Sequence, residues 1–201
     1  MSEGVPPDRS LADEPQSWPV VDSQDLHRDE WVVAFRADTM HRPEHPDEQF
    51  RRLVVEDPGA AIVLAIDDDE RVVVVRQYRH PVQMRLVELP AGKLDMEGED
   101  PLVAAARELR EEVGVRAREW THLMTTYASP GITAETHALY LARGLEDVDR
   151  DFDLHHEEAD MTVERVPFAE LLDAVLDGRV ADAPVATAVL AYEVLRGRGR
   201  L

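Results

Sequence analysis

The chain is expected to fold as an α+β domain, a mixed β-sheet with helices on both faces. Three observations lead there. Residues 61–66 (AIVLAI) and 72–75 (VVVV) are apolar without alternation and flank the polar turn 67–70. Such runs suit strands buried on both sides, as in a sheet covered by helices. A helix over 101–113 carries its own stop and start signals. Asp100 can serve as N-cap, Pro101 suits the first helical position, and Gly114 can take the left-handed conformation that ends it. Two more helices follow a final short strand near the C-terminus.

In chain order, residues 1–20 are polar, acidic and proline-bearing without a period, the signature of a loosely attached arm. Strands at 31–35 and 50–56 are joined by the His- and Pro-rich segment 41–47, making an N-terminal antiparallel β element over 21–57. His41 and His45 lack a metal-ligand spacing and read as loop residues. A catalytic domain over 58–201 begins with a hairpin of two central strands, 61–66 and 72–75. The strand 86–89 delivers Pro90, Ala91 and Gly92 to the start of a loop. In the helix, Leu102, Ala105, Ala106, Leu109 and Val113 form the apolar stripe, with Glu108 and Glu112 along its edge. Strands at 119–127 and 136–141 flank a loop holding Ser129, Pro130 and Gly131. A strand at 164–166, a helix at 168–176 closed by Gly178, and a helix from Pro184 to about residue 195 complete the series.

With 201 residues, 44% of them hydrophobic, the chain can fill one compact core. Its formal charge of −20 argues against nucleic acid as a partner, because phosphate backbones need basic footprints. An anionic substrate would also be repelled unless Lys93, the arginines or a metal supplied local positive charge. No run of 18 apolar residues and no secretory leader is present, so neither membrane insertion nor export is expected. The absence of cysteine rules out disulfides and thiolate metal sites and suits a cytoplasmic location.

The most informative segment is Arg107-Glu108-Leu109-Arg110-Glu111-Glu112-Val113-Gly114. Three carboxylates on neighbouring helical turns repel one another by roughly 0.2–0.5 kcal/mol per pair. Only Arg107 and Arg110 stand nearby to offset that repulsion. A solvated acidic face is the ordinary reading of a Glu-Glu pair on a surface helix. The alternative is a divalent cation, and glutamates at the edge of a buried stripe would present oxygen ligands suited to Mg²⁺ or Mn²⁺.

The surrounding pattern favours the cation. Gly92, Glu99 and the box from Arg107 to Gly114 resemble the signature of the Nudix hydrolases, which cleave nucleoside diphosphates linked to another group. One departure stands out: six residues separate Gly92 from Glu99, where the family has five. The extra residue lengthens a loop before the helix, which is thermodynamically cheap and leaves the carboxylates in phase. Further strings, VRQYR ending at Arg79, ELPAG over 88–92, SPGITAE over 129–135 and HHEEADM over 155–161, are similar to the ADP-ribose pyrophosphatase branch of actinobacterial type.

This resemblance implies a Nudix αβα sandwich and a division of roles. Glu108, Glu111, Glu112 and the carbonyl of Ala91 would hold Mg²⁺, with Mn²⁺ as a substitute, and Arg107 would orient the glutamates. Arg79, Ser129 and Glu135 would lie on the substrate side. Arg52 would reach in from the partner of a homodimer assembled through the N-terminal β element, whose apolar Trp31, Val32, Val33 and Phe35 a lone domain would not cover. The general base would come from the late loop, with Glu158 preferred to its neighbour Glu157, Asp160 as a third candidate, and His155 and His156 able to titrate near neutrality. ADP-ribose would yield AMP and ribose 5-phosphate. Two rivals remain open: the same chemistry on a nucleotide sugar or dinucleoside polyphosphate, and a non-catalytic Nudix binding or regulatory module.

Overall fold

The computed structural model describes residues 11–28, 33–96, 98–149 and 160–201. In order, the described elements are β1 Val20–Arg28, β2 Ala34–Met40, β3 Phe50–Glu56, β4 Ala60–Ala65, β5 Arg71–Arg79, β6 Met84–Glu88 and β7 Ala91–Lys93. Then come α1 Pro101–Val113, β8 Val115–Tyr127, β9 Thr136–Asp147, β10 Thr162–Pro167, α2 Phe168–Leu176 and α3 Ala183–Gly197. They build three sheets of order β1-β2-β3, β10-β5-β6 and β7-β4-β9-β8. Among the described strands the ladders are antiparallel except that of β4 with β9, which makes the last sheet mixed.

The central strands divide the core by parity. Ala61, Val63 and Ala65 of β4, Val73 and Val75 of β5, and Ala138, Tyr140 and Ala142 of β9 pack with Ala105, Leu109 and Val113 of α1. The intervening residues Ile62, Leu64, Val72, Val74, Leu139 and Leu141 pack with Phe168 and Leu171 of α2 and Val185 and Val189 of α3. The period of two therefore feeds two apolar layers, and α1 lies on the opposite face from α2 and α3. Leu109 is fully buried, so its truncation to alanine would cost about 2–5 kcal/mol. Among the described residues no helix is long and apolar enough to cross a membrane.

Several expectations need correction. Segments 61–66 and 72–75 are each central, but they do not form a hairpin, since β4 and β5 belong to different sheets and share only the bridge Ile66↔Val72. The turn between them is held by Asp67, whose Oδ1 accepts from the Asp69 and Arg71 N–H groups at 3.1 and 2.8 Å. A strand buried on both faces needs neighbours on each side, and local sequence does not reveal which they are. The strand expected at 31–35 begins instead at Ala34; Trp31 and Val32 lie outside the described residues. The arm ends earlier than expected, because Trp18 stacks edge-on against Phe50 and the Pro19 carbonyl accepts from His41. β1 then follows with every residue exposed. It escaped notice because a strand without a buried face has no hydrophobic alternation; its ladder to β2 and the bond from Ser23 to Asp38 hold it.

The buried stripe of α1 is also rotated. Ala106 is exposed and Ala104 is fully buried, which moves the buried arc toward the glutamate side. Glu108 and Glu112 consequently face the protein body.

Candidate active site

The site is built on the junction of β7 and α1. Asp100 caps α1 by accepting from the Leu102 N–H at 2.8 Å. Gly114 closes it at φ 66°, ψ 39°, donating back to the Arg110 and Leu109 carbonyls. Between these caps Glu108 lies directly on Gly92, where a Cβ would stand only 2.0–2.2 Å from the glutamate's Cγ, Cδ and Oε1. Glycine is required there by close approach rather than by its backbone angles. One turn on, Glu112 Oε2 accepts from the Ala91 N–H at 3.0 Å.

Arg107 ties the acidic residues together. It donates to Glu99 at 3.1 and 3.3 Å, to Glu108 Oε1 at 2.6 Å and to Glu111 Oε2 at 3.5 Å. The bonds to Glu99, then the charge of Glu108, raise its pKa above the ordinary arginine value, so it stays charged. The longer loop after Gly92 thus still brings Glu99 to Arg107.

Glu108, Glu112, Ala91 and Gly92 form one wall of a cavity of about 590 Å³. Gln77 and Arg79 of β5 and Leu86 and Glu88 of β6 line it with Lys93, Glu135, His137 and Asp182. Arg79 makes a two-pronged ion pair with Glu88, and that bond raises the arginine's pKa. Asp182 caps α3 by accepting from the Val185 N–H at 3.0 Å. Burial holds its pKa above the usual carboxylate value; the Val185 bond lowers it, and nearby Glu88 raises it further. Glu135 is delivered by the 129–135 loop, its N–H on Thr133 Oγ1 at 3.0 Å. That loop is anchored to β3 through the Val55 N–H and the Ile132 carbonyl. Lys93 bonds Asp57 at 2.6 Å and approaches Glu135 at 3.4 Å.

Of the residues singled out from sequence, this cavity gathers Arg79, Ala91, Glu108, Glu112 and Glu135. Glu111 faces a separate depression beside Arg110 and Trp120. Ser129 accepts from the Ile132 and Thr133 N–H groups within its loop. Arg52 lies over the Phe50 ring on the N-terminal sheet, facing a different hollow lined by residues 130–134. Glu157, Glu158, His155 and His156 lie outside the described residues. Asp160 is exposed and bonded to Arg85 of β6 at 2.6 Å. Gln77 and Glu88 enter the sequence reading only inside the strings VRQYR and ELPAG, without roles of their own, and His137 and Asp182 carry no signal there. Glu88 had one available signal, a carboxylate within an otherwise apolar strand segment.

Among the described residues no three acidic or histidine side chains converge as a ready-made metal centre. The donor set nevertheless fits a hard cation: Glu108 and Glu112 supply oxygen atoms on one wall, and Gly92 leaves no side chain to cover Glu108. Charge argues the same way. Five carboxylates (Glu88, Glu108, Glu112, Glu135, Asp182) face two cations (Arg79, Lys93), a formal excess of three negative charges. A phosphate ester could not settle there without added positive charge.

The NUDIX domain family matches residues 55–188. The chain is 43% identical over 175 residues to an ADP-ribose pyrophosphatase of Mycobacterium tuberculosis, covering 87% of this chain and 83% of that one. It is 37% identical over 139 residues to an ADP-ribose pyrophosphatase of Bacillus subtilis, covering 69% and 74% respectively. A crystal structure described as an ADP compounds hydrolase superimposes with a TM-score of 0.73 at 22% identity, covering 94% of this chain and all of that one, and so shares the fold. With the αβα layering, the glutamate helix and the matched span in agreement, the chain belongs to the NUDIX family of hydrolases.

Proposed function

We propose that this chain hydrolyses ADP-ribose to AMP and ribose 5-phosphate in a reaction that depends on Mg²⁺. The observation that carries the reading is the cavity lined by Glu108, Glu112, Arg79 and Glu135 with a net excess of carboxylates. Its similarity to two ADP-ribose pyrophosphatases supports the choice of substrate. Bound Mg²⁺, with Mn²⁺ as a substitute, would neutralise diphosphate oxygens and acidify a water.

The protein's own groups have distinct tasks. Glu108 and Glu112, with the Ala91 carbonyl, would hold the cation, and Arg107 fixes the helix turn that carries them. Glu111, which faces the neighbouring depression, would serve as a further ligand only through another rotamer. Arg79 offers N–H donors to the anionic part of the substrate, and Glu135 offers a carboxylate to ribose hydroxyls, with Ser129 shaping its loop. The water's proton would pass to the late-loop carboxylate, Glu158 in preference to Glu157 or Asp160. Asp160, a described residue, is bonded to Arg85 of β6. In-line attack at phosphorus then releases AMP.

The working unit is proposed to be a cytoplasmic homodimer joined through β1–β3. Val20, Val21, Leu26 and Leu53 are exposed there, and Arg52 lines the hollow beside residues 130–134 rather than the Glu108 cavity of its own chain. Light scattering at the monomer mass with full activity would remove that assignment. The substrate is tested by AMP release with Mg²⁺ from ADP-ribose, nucleotide sugars and diadenosine polyphosphates. ADP-ribose should show the highest kcat/KM; faster cleavage of a nucleotide sugar would move the substrate, and no cleavage of any would favour a binding module.

A further inference from the structure

The orientation of Arg79 is set from behind. Its Nε donates to Glu88 Oε1 at 2.8 Å and its Nη2 to Oε2 at 2.7 Å. Gln77 Nε2 donates to the same Oε2 at 2.9 Å. Glu88 and Gln77 are 7% and 5% exposed, while half of the Arg79 side chain is open to the cavity. A buried carboxylate receiving three donors is a socket, unlike a surface ion pair whose partners exchange with water.

Strand register makes the socket. Gln77 and Arg79 follow Val75 at intervals of two along β5, and Glu88 of β6 stands opposite Val75. All three side chains therefore share the face that packs on α1 near Val75 and opens into the cavity beyond it. A guanidinium held along its Nε–Nη2 edge turns Nη1 away from the carboxylate that grips it. Among the described residues the Nη1 N–H groups have no partner. Glu112 and Asp182 also attract Arg79, so an ungripped guanidinium has two other carboxylates to turn to.

We propose that Glu88 is a positioning residue for substrate recognition: seated with Gln77, it holds Arg79 so that Nη1 meets the anionic part of the substrate, and it keeps Arg79 from closing onto Glu112. The proposal rests on the reading of this cavity as the diphosphate site. The ion pair is neutral overall, so Arg79 contributes direction more than net charge, and its loss should appear mainly in substrate binding.

The test is a double-substitution cycle of Arg79→Ala and Glu88→Gln, with KM, kcat and thermal midpoint measured for each form. The substrate is whichever nucleoside diphosphate derivative the unmodified chain cleaves best. Glu88→Gln should raise KM by about ten- to a hundredfold, the size of one misplaced charge-assisted hydrogen bond, with kcat within about threefold. In the Arg79→Ala background the same change should move KM by less than about twofold, because the two residues act as one unit. Should Glu88→Gln unfold the chain, Gln77→Leu removes one donor from the socket and should raise KM by about threefold, again only when Arg79 is present. Equal effects in both backgrounds, or an unchanged KM in Arg79→Ala, would overturn the proposal. Inactivity of the unmodified chain on ADP-ribose would instead overturn the substrate reading, so the two failures are distinguishable.

Discussion

The two walls of the cavity are made differently. On the α1 wall Glu108 and Glu112 are one turn apart on one capped helix, and their backdrop, Ala91 and Gly92, belongs to the three-residue strand β7. On the opposite wall Gln77 and Arg79 come from β5, Glu88 from β6 and Asp182 from the cap of α3. Helical spacing sets the phase of the two glutamates in the first constellation; the second exists only once β5 pairs with β6 and α3 docks. Under the proposed function, a local motif would hold the cation and a tertiary assembly would recognise the substrate.

The largest expected effect lies on the helical wall. Glu112→Gln should lower kcat by about a thousandfold or more while the circular dichroism spectrum and thermal midpoint stay near those of the unmodified chain. Near-normal turnover would detach the helix from the chemistry. Gly92→Ala strikes the same wall by shape, since the new methyl would occupy the space of the Glu108 carboxylate. A loss of about a hundredfold in kcat/KM, with the helical signal retained, is the expected outcome. If activity survives, Glu108 has room to rotate and the close packing on β7 is not what fixes it.

The β wall should respond more gently, and its smallest effect is one of stability. Asp182 has a raised pKa in the folded chain, so folding favours its protonated form. Its ionised form therefore subtracts stability at neutral pH, and that subtraction disappears as pH falls below the ordinary carboxylate range. Asp182→Asn keeps a good capping acceptor without the charge. Its thermal midpoint at pH 7 should equal or slightly exceed that of the unmodified chain, and the difference should vanish below about pH 4. A clear drop at pH 7 would mean that Asp182 needs its charge, most directly to face Arg79.

How far the sequence could be read follows from the range of each signal. Phe50–Glu56 and Phe168–Leu176 were legible residue for residue, the first as a short run with aromatic and β-branched residues and the second by amphipathic spacing that stops before Gly178. The α1 box was legible because the spacing of carboxylates along a helix is local. β1 was not, since nothing in a fully exposed strand distinguishes it from a loop. The supposed hairpin failed because a strand's partner is a long-range fact; the Asp67 turn passes the chain from one sheet to another. Glu88 could be noticed as a carboxylate in an apolar segment, but its partners Gln77 and Arg79 are about ten residues away and meet it only through the β5–β6 register.

By itself the sequence determined the period of the elements, the caps of α1, the phase of Glu108 and Glu112 and the acidic character that calls for a cation. These depend on bonds and repulsions between residues close in the chain. Tertiary structure decided which strands are neighbours, that the buried arc of α1 turns its glutamates inward against Gly92, and that Arg79 is gripped by Glu88 beside the Asp182 cap. Those are consequences of packing two apolar layers around shared strands, and local sequence does not encode the contacts that packing creates.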